Sequence, residues 1–223
     1  MSAASLHKDA SGEAVVVDRY TGLARANHWV TAISLILLAL SGMSLFHPAL
    51  FFLTGLFGGG QWTRIIHPWI GVVLAVSFAG LFIRFWRANL WVREDSVWVG
   101  NPGAVLRGDE ERLPEIGRYN AGQKLVFWGM TLLILVLFAS GLTIWDTYFF
   151  AYTSIETKRL AVLVHAAAAV CAILIWIAHV YAAIWVRGTV RAMTRGSVTG
   201  GWAWRHHRKW LREEVAKGRP DGG

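Results

Sequence analysis

Two histidines within one uncharged run are the residues of this chain whose type and spacing could do chemistry. His165 and His179 lie in residues 160–186, a stretch of 27 residues without Asp, Glu, Lys or Arg. Their separation of 14 residues amounts, at ~100° per residue, to four helical turns less about 40°, so both imidazoles leave one face of a helix. At ~1.5 Å per residue they stand about 21 Å apart, near the two edges of a hydrocarbon core ~30 Å thick. Ala168, Ala169 and Ala172 occupy the same face between them, which lets a flat group approach the backbone. Ionisable side chains inside a membrane helix mark functional sites, and two imidazoles at opposite depths predict two metal centres in series.

The elements that must hold such centres follow from where charge is missing. Of 223 residues 55% are hydrophobic and only 16% charged, and four runs carry no charge at all: 29–46, 65–83, 125–145 and 160–186. Apolar runs of that length predict four transmembrane helices. The fold class expected is an all-α integral membrane bundle over residues 28–186, between a polar N-terminal tail (1–27) and a basic C-terminal tail (187–223). The first tail lacks the basic, apolar, small-residue pattern of a cleaved signal peptide and is expected to be poorly ordered at its start. Nineteen Lys and Arg fall in the two tails and the 84–124 connection, against three in the 47–64 and 146–159 loops. That bias places both termini in the cytoplasm. It also explains the net charge of +8 through topology and anionic lipid headgroups, with no need for a nucleic acid partner. The lone cysteine, Cys171, can form neither an internal disulfide nor a thiolate cluster and reads as a small packing residue.

Two further histidines occupy matching depths. His28 stands at the cytoplasmic boundary of the first span with Trp29 as its interfacial anchor, and Gly42 lies 14 residues on, opening the same face. His67 stands at the outer boundary of the second span, expected to begin near Ile65 with Pro68 tolerated in its first turn and Gly71 beneath the imidazole. His47, beside Pro48, reads as a loop histidine outside the ligand set. Residues 49–57 are apolar but too short to cross, so they read as an interfacial segment closed by Gly58, Gly59 and Gly60. The third span has no histidine, but its Ser140-Gly141 echoes Ser41-Gly42 of the first at an offset of 99, as Trp128 echoes Trp29, and His165 matches His67 at 98. A parallel repeat of two helical hairpins accounts for these matches.

Depth then pairs His67 with His165 on the outer side and His28 with His179 on the inner side. Facing helices of a bundle build cofactor sites, and two His/His pairs suit two haem irons with paired imidazole ligands. Zinc or copper also takes imidazole, but would need Cys, Asp or Glu ligands that the charge-free spans do not offer. No Cys-x-x-Cys-His occurs, so the haems would be non-covalent, of b type. The plainer alternative is that boundary histidines hydrogen-bond at the interface. In the 84–124 connection, Asp109-Glu110-Glu111 reads as a solvated loop, whereas Asn120, Gly122 and Gln123 stand where the third span begins. Asn120 and Gln123 either cap that helix or hydrogen-bond a ligand. The basic, aromatic C-terminal tail reads as a headgroup-binding or partner-docking segment, and His206 and His207 are expected in water.

Taken together, Asn27-His28-Trp29, Ile66-His67-Pro68, Tyr119-Asn120-Ala121-Gly122-Gln123-Lys124, Val164-His165-Ala166-Ala167-Ala168, His179-Val180-Tyr181 and His206-His207-Arg208-Lys209-Trp210 resemble the cytochrome b556, or gamma, subunits of respiratory formate dehydrogenases. The resemblance covers roughly residues 19 to 212. It implies an anchor in the bacterial inner membrane, serving anaerobic respiration, that carries two b haems on His67/His165 and His28/His179. Its implied partners are an iron-sulfur beta subunit and a molybdenum- or tungsten-dependent catalytic subunit, in a complex that can form trimers. Electrons from formate would reach the outer haem, cross to the inner one and reduce a quinone, menaquinone or ubiquinone, near Asn120, Gly122, Gln123 and His179. The histidine pattern alone is shared with hydrogenase and thiosulfate-reductase cytochromes b, the second reading. A haemless membrane anchor or transporter is the third, disfavoured as a transporter by spans without carboxylates.

Overall fold

The computed structural model describes residues 6–8 and 15–217, so the expectation of a poorly ordered start falls outside the described residues. The elements in chain order are β1 (Leu6–Lys8), β2 (Val15–Asp18), α1 (Gly22–Phe46), a 3-10 segment (Pro48–Phe57), α2 (Gly60–Phe85), α3 (Arg93–Val99), α4 (Pro102–Arg107), α5 (Ala121–Ile144), α6 (Asp146–Phe149), α7 (Ile155–Trp185), α8 (Thr189–Thr194), β3 (Ser197–Thr199), α9 (Gly200–His206) and α10 (Arg208–Lys217). The four predicted spans are α1, α2, α5 and α7, each long and apolar enough to cross a membrane. Only 6% to 17% of their most apolar windows is buried within the chain. Helices this hydrophobic with that much outward surface need lipid as their neighbour, because water would charge the full hydrophobic cost of their exposure. The chain is a multi-pass membrane protein.

Helix ends follow local chemistry. His47 takes extended backbone (φ −135°, ψ 131°), as a residue before proline must, and this stops α1. Its Nδ1 accepts the Ala49 N–H at 3.2 Å, so the histidine read as a loop residue caps the 3-10 segment. Gly58 and Gly59, at φ 83° and 100°, then turn the chain into α2 in a conformation that side chains resist. One expectation is corrected here. Because α2 begins at Gly60, Pro68 lies inside the helix and not in its first turn, which leaves the Arg64 carbonyl without its usual amide partner.

The chain forms two units. One comprises Ala26–Arg84 and Trp128–Ala178 and holds most of the four long helices. Within it Thr31 Oγ1 meets Ser77 Oγ at 3.0 Å, and a Cβ on Gly80 would come within 2.8 Å of Asn27 Nδ2, so α1 and α2 approach closely. A Cβ on Gly129 would stand 3.0 Å from Ile175 Cδ1, which brings α5 and α7 together in the same way. Trp69, Trp145 and Tyr148 meet edge to face at 5.0 to 6.1 Å, the ring geometry that aromatic quadrupoles favour. Cys171 is exposed, correcting its reading as a packing residue: the inward positions of α7 are Ala168 and Ala172, and Cys171 is turned ~100° from its neighbour Ala172.

The other unit comprises Met1–Arg25, Phe85–Phe127 and His179–Gly223. Its strands form an antiparallel sheet in the order β1-β2-β3, with Leu6 opposite Val17 and Val17 opposite Val198. The Val15-Val16-Val17 run, inside the stretch expected to be a polar tail, is β-branched throughout and suits the middle strand. Val17, Val198, Ala192, Ala203 and Trp210 form the core, with Tyr20, Trp202 and Leu211 against it. The C-terminal aromatics are thus largely internal. His207, expected in water, is 1% exposed and donates from Nδ1 to the Gly117 carbonyl at 2.7 Å. The acidic cluster is not simply solvated either, because Glu110 meets His206 Nδ1 at 2.8 Å.

The repeat extends into this unit. Arg19 Nη2 donates to the Arg118 carbonyl at 2.5 Å, and Arg118 Nη2 donates to the Arg19 carbonyl at 2.6 Å. The next residues in each copy, Tyr20 and Tyr119, join hydroxyls at 3.3 Å. Each guanidinium also lies over the other copy's tyrosine, at 5.8 and 5.6 Å. These partners stand 99 apart in sequence, the offset that relates the two Ser-Gly pairs.

Burial holds the His207 pKa well below that of a free histidine, and the nearby Arg19 charge adds to the effect. A depressed folded-state pKa gives stability that is complete above the unfolded value of ~6.5 and falls away as the pH drops below it. Between pH 7 and 5 the stability of this unit is expected to decline with a slope approaching about 1.4 kcal/mol per pH unit from this group. Denaturant titrations of the detergent-solubilised protein, native against His207→Gln, check it; an identical pH slope in both proteins contradicts it.

Candidate functional site

The outer pair of histidines is brought together within the unit of long helices. His67 of α2 and His165 of α7 place their ring centroids 6.3 Å apart, with an interplanar angle of 66°. Ser41 Oγ of α1 stands 2.8 Å from His67 Nδ1, and Ser140 Oγ of α5 stands 2.9 Å from His165 Nδ1. Each serine is itself anchored to its own helix: Ser41 Oγ donates to the Leu37 carbonyl at 2.7 Å and Ser140 Oγ to the Val136 carbonyl at 2.6 Å. A hydroxyl has one proton. When each serine gives its proton to the carbonyl behind it, the imidazole is the donor from Nδ1 and its lone pair lies on Nε2. That arrangement is the tautomer that ligates a metal through Nε2.

The glycines that follow the serines complete the arrangement. A Cβ on Gly42 would lie 3.5 Å from His67 Cε1, and one on Gly141 would lie 3.4 Å from His165 Cε1. Each imidazole thus has a serine acceptor on one side and bare backbone beside its carbon edge, in two equivalent copies. An imidazole nitrogen binds a first-row metal at about 2 Å and lies about 1.2 Å from its ring centre, so two imidazoles on opposite sides of one metal put their centres about 6 Å apart. The observed 6.3 Å fits. Among the described residues no group of three or more His, Cys, Asp and Glu converges. Two neutral nitrogens of this kind match an iron whose remaining ligands come from a macrocycle, so the residues present fit haem.

Serine is the functional residue that the sequence alone does not single out. The Ser-Gly echo is visible at an offset of 99, but spacing and size give a role there only to the glycine. What identifies the hydroxyl is its position in a span opposite a histidine at the same depth, where a polar group needs a partner.

The inner candidates fall in different units. His28 belongs to the unit of long helices and meets Trp29 edge to face at 5.7 Å. His179 belongs to the other unit and is exposed on α7. Asn120 and Gln123 form a reciprocal cap at the start of α5. Asn120 Oδ1 accepts the Gln123 N–H at 2.9 Å, and Gln123 Oε1 accepts the Asn120 N–H at 3.0 Å. The capping alternative is thus realised, but it uses only the two carbonyl oxygens and leaves both NH2 groups as donors. A Cβ on Gly122 would meet Trp98 Cη2 at 3.3 Å, so an indole already lies against the backbone beside the amides.

A four-span helical bundle that brings two imidazoles of facing helices together fits a membrane cytochrome b. The family model for prokaryotic cytochrome b561 matches residues 19–196. The chain is 43% identical over 195 residues to the formate dehydrogenase cytochrome b556(fdo) subunit of Escherichia coli strain K12, covering 87% of this chain and 92% of that one. It is 41% identical over 189 residues to the nitrate-inducible formate dehydrogenase cytochrome b556(Fdn) subunit of the same strain, covering 85% and 87%. With the formate dehydrogenase cytochrome b556 subunit of Haemophilus influenzae the identity is 36% over 197 residues, covering 88% and 83%. The chain belongs to the prokaryotic cytochrome b561 family and, within it, to the cytochrome b556 subunits of formate dehydrogenase. A cytochrome b of this family binds b-type haem.

Proposed function

We propose that this chain is the membrane subunit of a formate:quinone oxidoreductase, anchoring the complex in the bacterial inner membrane and conducting electrons to a quinone reduced on the cytoplasmic side. The observation that carries the reading is the twinned Ser-His arrangement, in which each Nδ1 meets a serine and the two ring centres stand 6.3 Å apart. His67 and His165 would hold an outer haem b, and His28 and His179, placed by their matched depths on α1 and α7, an inner one. When bound, such a haem takes up and releases one electron at a time. The apolar helices exclude water from the path, in a medium where an isolated charge is costly. The positive-inside bias orients both termini to the cytoplasm and the His67/His165 end outward. Electrons would be delivered by an iron-sulfur subunit from a molybdenum- or tungsten-dependent formate-oxidising subunit, and the complex can assemble as a trimer. The basic connections and tail would rest on anionic lipid.

At the cytoplasmic side Asn120 and Gln123 each point an unused NH2 group from a fixed cap. These donors suit a quinone carbonyl, either menaquinone or ubiquinone, whose oxygen gains negative charge as it is reduced. Gly122 and the Trp98 indole give that ring a flat wall. His179, a turn inside the end of α7, completes the set as a further hydrogen-bonding group. Uptake of two protons from the cytoplasm with two electrons from the outer side would separate charge across the membrane.

Exchanging both amides (Asn120→Leu with Gln123→Leu) in the assembled complex is expected to lower formate-dependent quinone reduction at least tenfold, with a raised KM for quinone and unchanged haem content. Steady-state kinetics in proteoliposomes check it. Native kinetics in that variant would overturn the quinone role and leave the amides as a helix cap.

A further inference from the structure

We propose that Ser41 and Ser140 are positioning residues that set the electron affinity of the outer metal centre, acting as matched acceptors behind its two imidazole ligands. The proposal deepens the reading of His67 and His165 as axial ligands and rests on it. Three observations combine. Each serine oxygen has a carbonyl of its own helix, Leu37 or Val136, within reach of its proton, which frees the hydroxyl to serve the imidazole as an acceptor. The Nδ1 contacts are nearly equal, 2.8 and 2.9 Å, although they join different helix pairs. Ser41 is fully buried and Ser140 is 7% exposed, so water does not replace either acceptor.

An acceptor on Nδ1–H draws electron density through the ring toward Nε2 and makes the imidazole a stronger donor. Stronger donation favours the oxidised, more positive metal over the reduced one. Each serine therefore holds the midpoint potential down, and because the two copies are equivalent their effects should be equal and additive. The back-bond to the helix also fixes each ring's rotation, since the hydroxyl cannot turn to follow a displaced imidazole. Threonine keeps the same hydroxyl and makes the same back-bond, whereas alanine removes the acceptor without adding bulk.

The test uses the purified assembled complex carrying Ser41→Ala, Ser140→Ala, both together, and the two Ser→Thr replacements. Haem is counted per chain and the outer and inner midpoints are followed by optical redox titration. Each alanine variant is expected to keep its haem count and to raise the outer midpoint by a tenfold change in the one-electron constant, about 59 mV. The double variant should move twice as far, threonine should restore the native value, and the inner midpoint should not move. Loss of the outer haem in the alanine variants with retention in the threonine variants would support the same role through orientation. Superimposable titrations, or a shift in threonine as large as in alanine, overturn it. His67→Ala in the same series separates the two readings: an unchanged haem count there defeats the ligand assignment itself, whereas loss of the outer haem with native titrations in the serine variants defeats this proposal alone.

Discussion

Replacing His67 by alanine is expected to remove the outer haem while sparing the inner one, halving the haem counted per chain and abolishing formate-dependent quinone reduction. His165→Ala should do the same. The two rings face each other across 6.3 Å and each is tied to a different helix by its serine, so neither can be replaced by movement of the other. The metal would keep only one of the two imidazoles proposed to hold it. Nothing among the described residues offers a third ligand. The inner midpoint, read in the same titration, serves as the control for assembly. A full haem count in either variant would refute the pairing.

The second large effect is on stability. Lys124, in the first turn of α5, reaches Asp95 of α3 at 2.6 Å, with the two side chains 5% and 3% exposed. Lys124 Nζ also donates to the Leu90 carbonyl at 3.0 Å, and Asp95 Oδ2 accepts the Val92 N–H at 2.8 Å. This pair pins the start of α5 to the connection that follows α2, and both charges are otherwise without solvent. Removing one partner strands the other, which costs about 3–5 kcal/mol, whereas removing both with apolar replacements can be nearly neutral. Asp95→Ala and Lys124→Ala are each expected to destabilise by that amount, and Asp95→Leu with Lys124→Met to recover much of it. Denaturant titration and limited proteolysis of the loop unit check this. Single variants within ~1 kcal/mol of native would show that the pair is hydrated in solution.

What the sequence shows and hides divides along physical lines. The four spans are legible because apolar runs without charge report the solvent around them, and solvent acts on every residue of a run. The meeting of His67 and His165 is legible for a related reason: the end of a span at which a histidine falls gives it a depth, and equal depths bring side chains of facing helices together. Ends were less secure. α2 starts five residues before the expected Ile65, because Gln61, Thr63 and Arg64 continue the helix although they interrupt the apolar run, and this puts Pro68 in its interior and not in its first turn. The loop unit was not legible at all. Its sheet joins Val16 and Val17 to Val198 and Thr199 across some 180 residues, and no local pattern encodes which distant strand will pair. Burial of His207 and Trp210 likewise depends on that assembly. The Arg19-Tyr20 and Arg118-Tyr119 echo is in the sequence at the same offset as the Ser-Gly pairs, but arginine at a membrane boundary reads as topology until its reciprocal bonds are seen.

The capping box at α5 shows how two readings of one motif coexist. Asn120 and Gln123 spend their oxygens on each other's backbone, which is what a helix start requires. The same bonds fix the orientation of the remaining NH2 groups, so the structural role prepares the proposed one.

The central claim, two b haems each held between two histidines, is tested most directly by a reduced-minus-oxidised absorption spectrum of the purified chain with haem counted per polypeptide. Two b-type haems per chain with resolvable midpoints is the predicted result. One haem would mean that one of the two histidine pairs is misassigned, and none would contradict the account altogether.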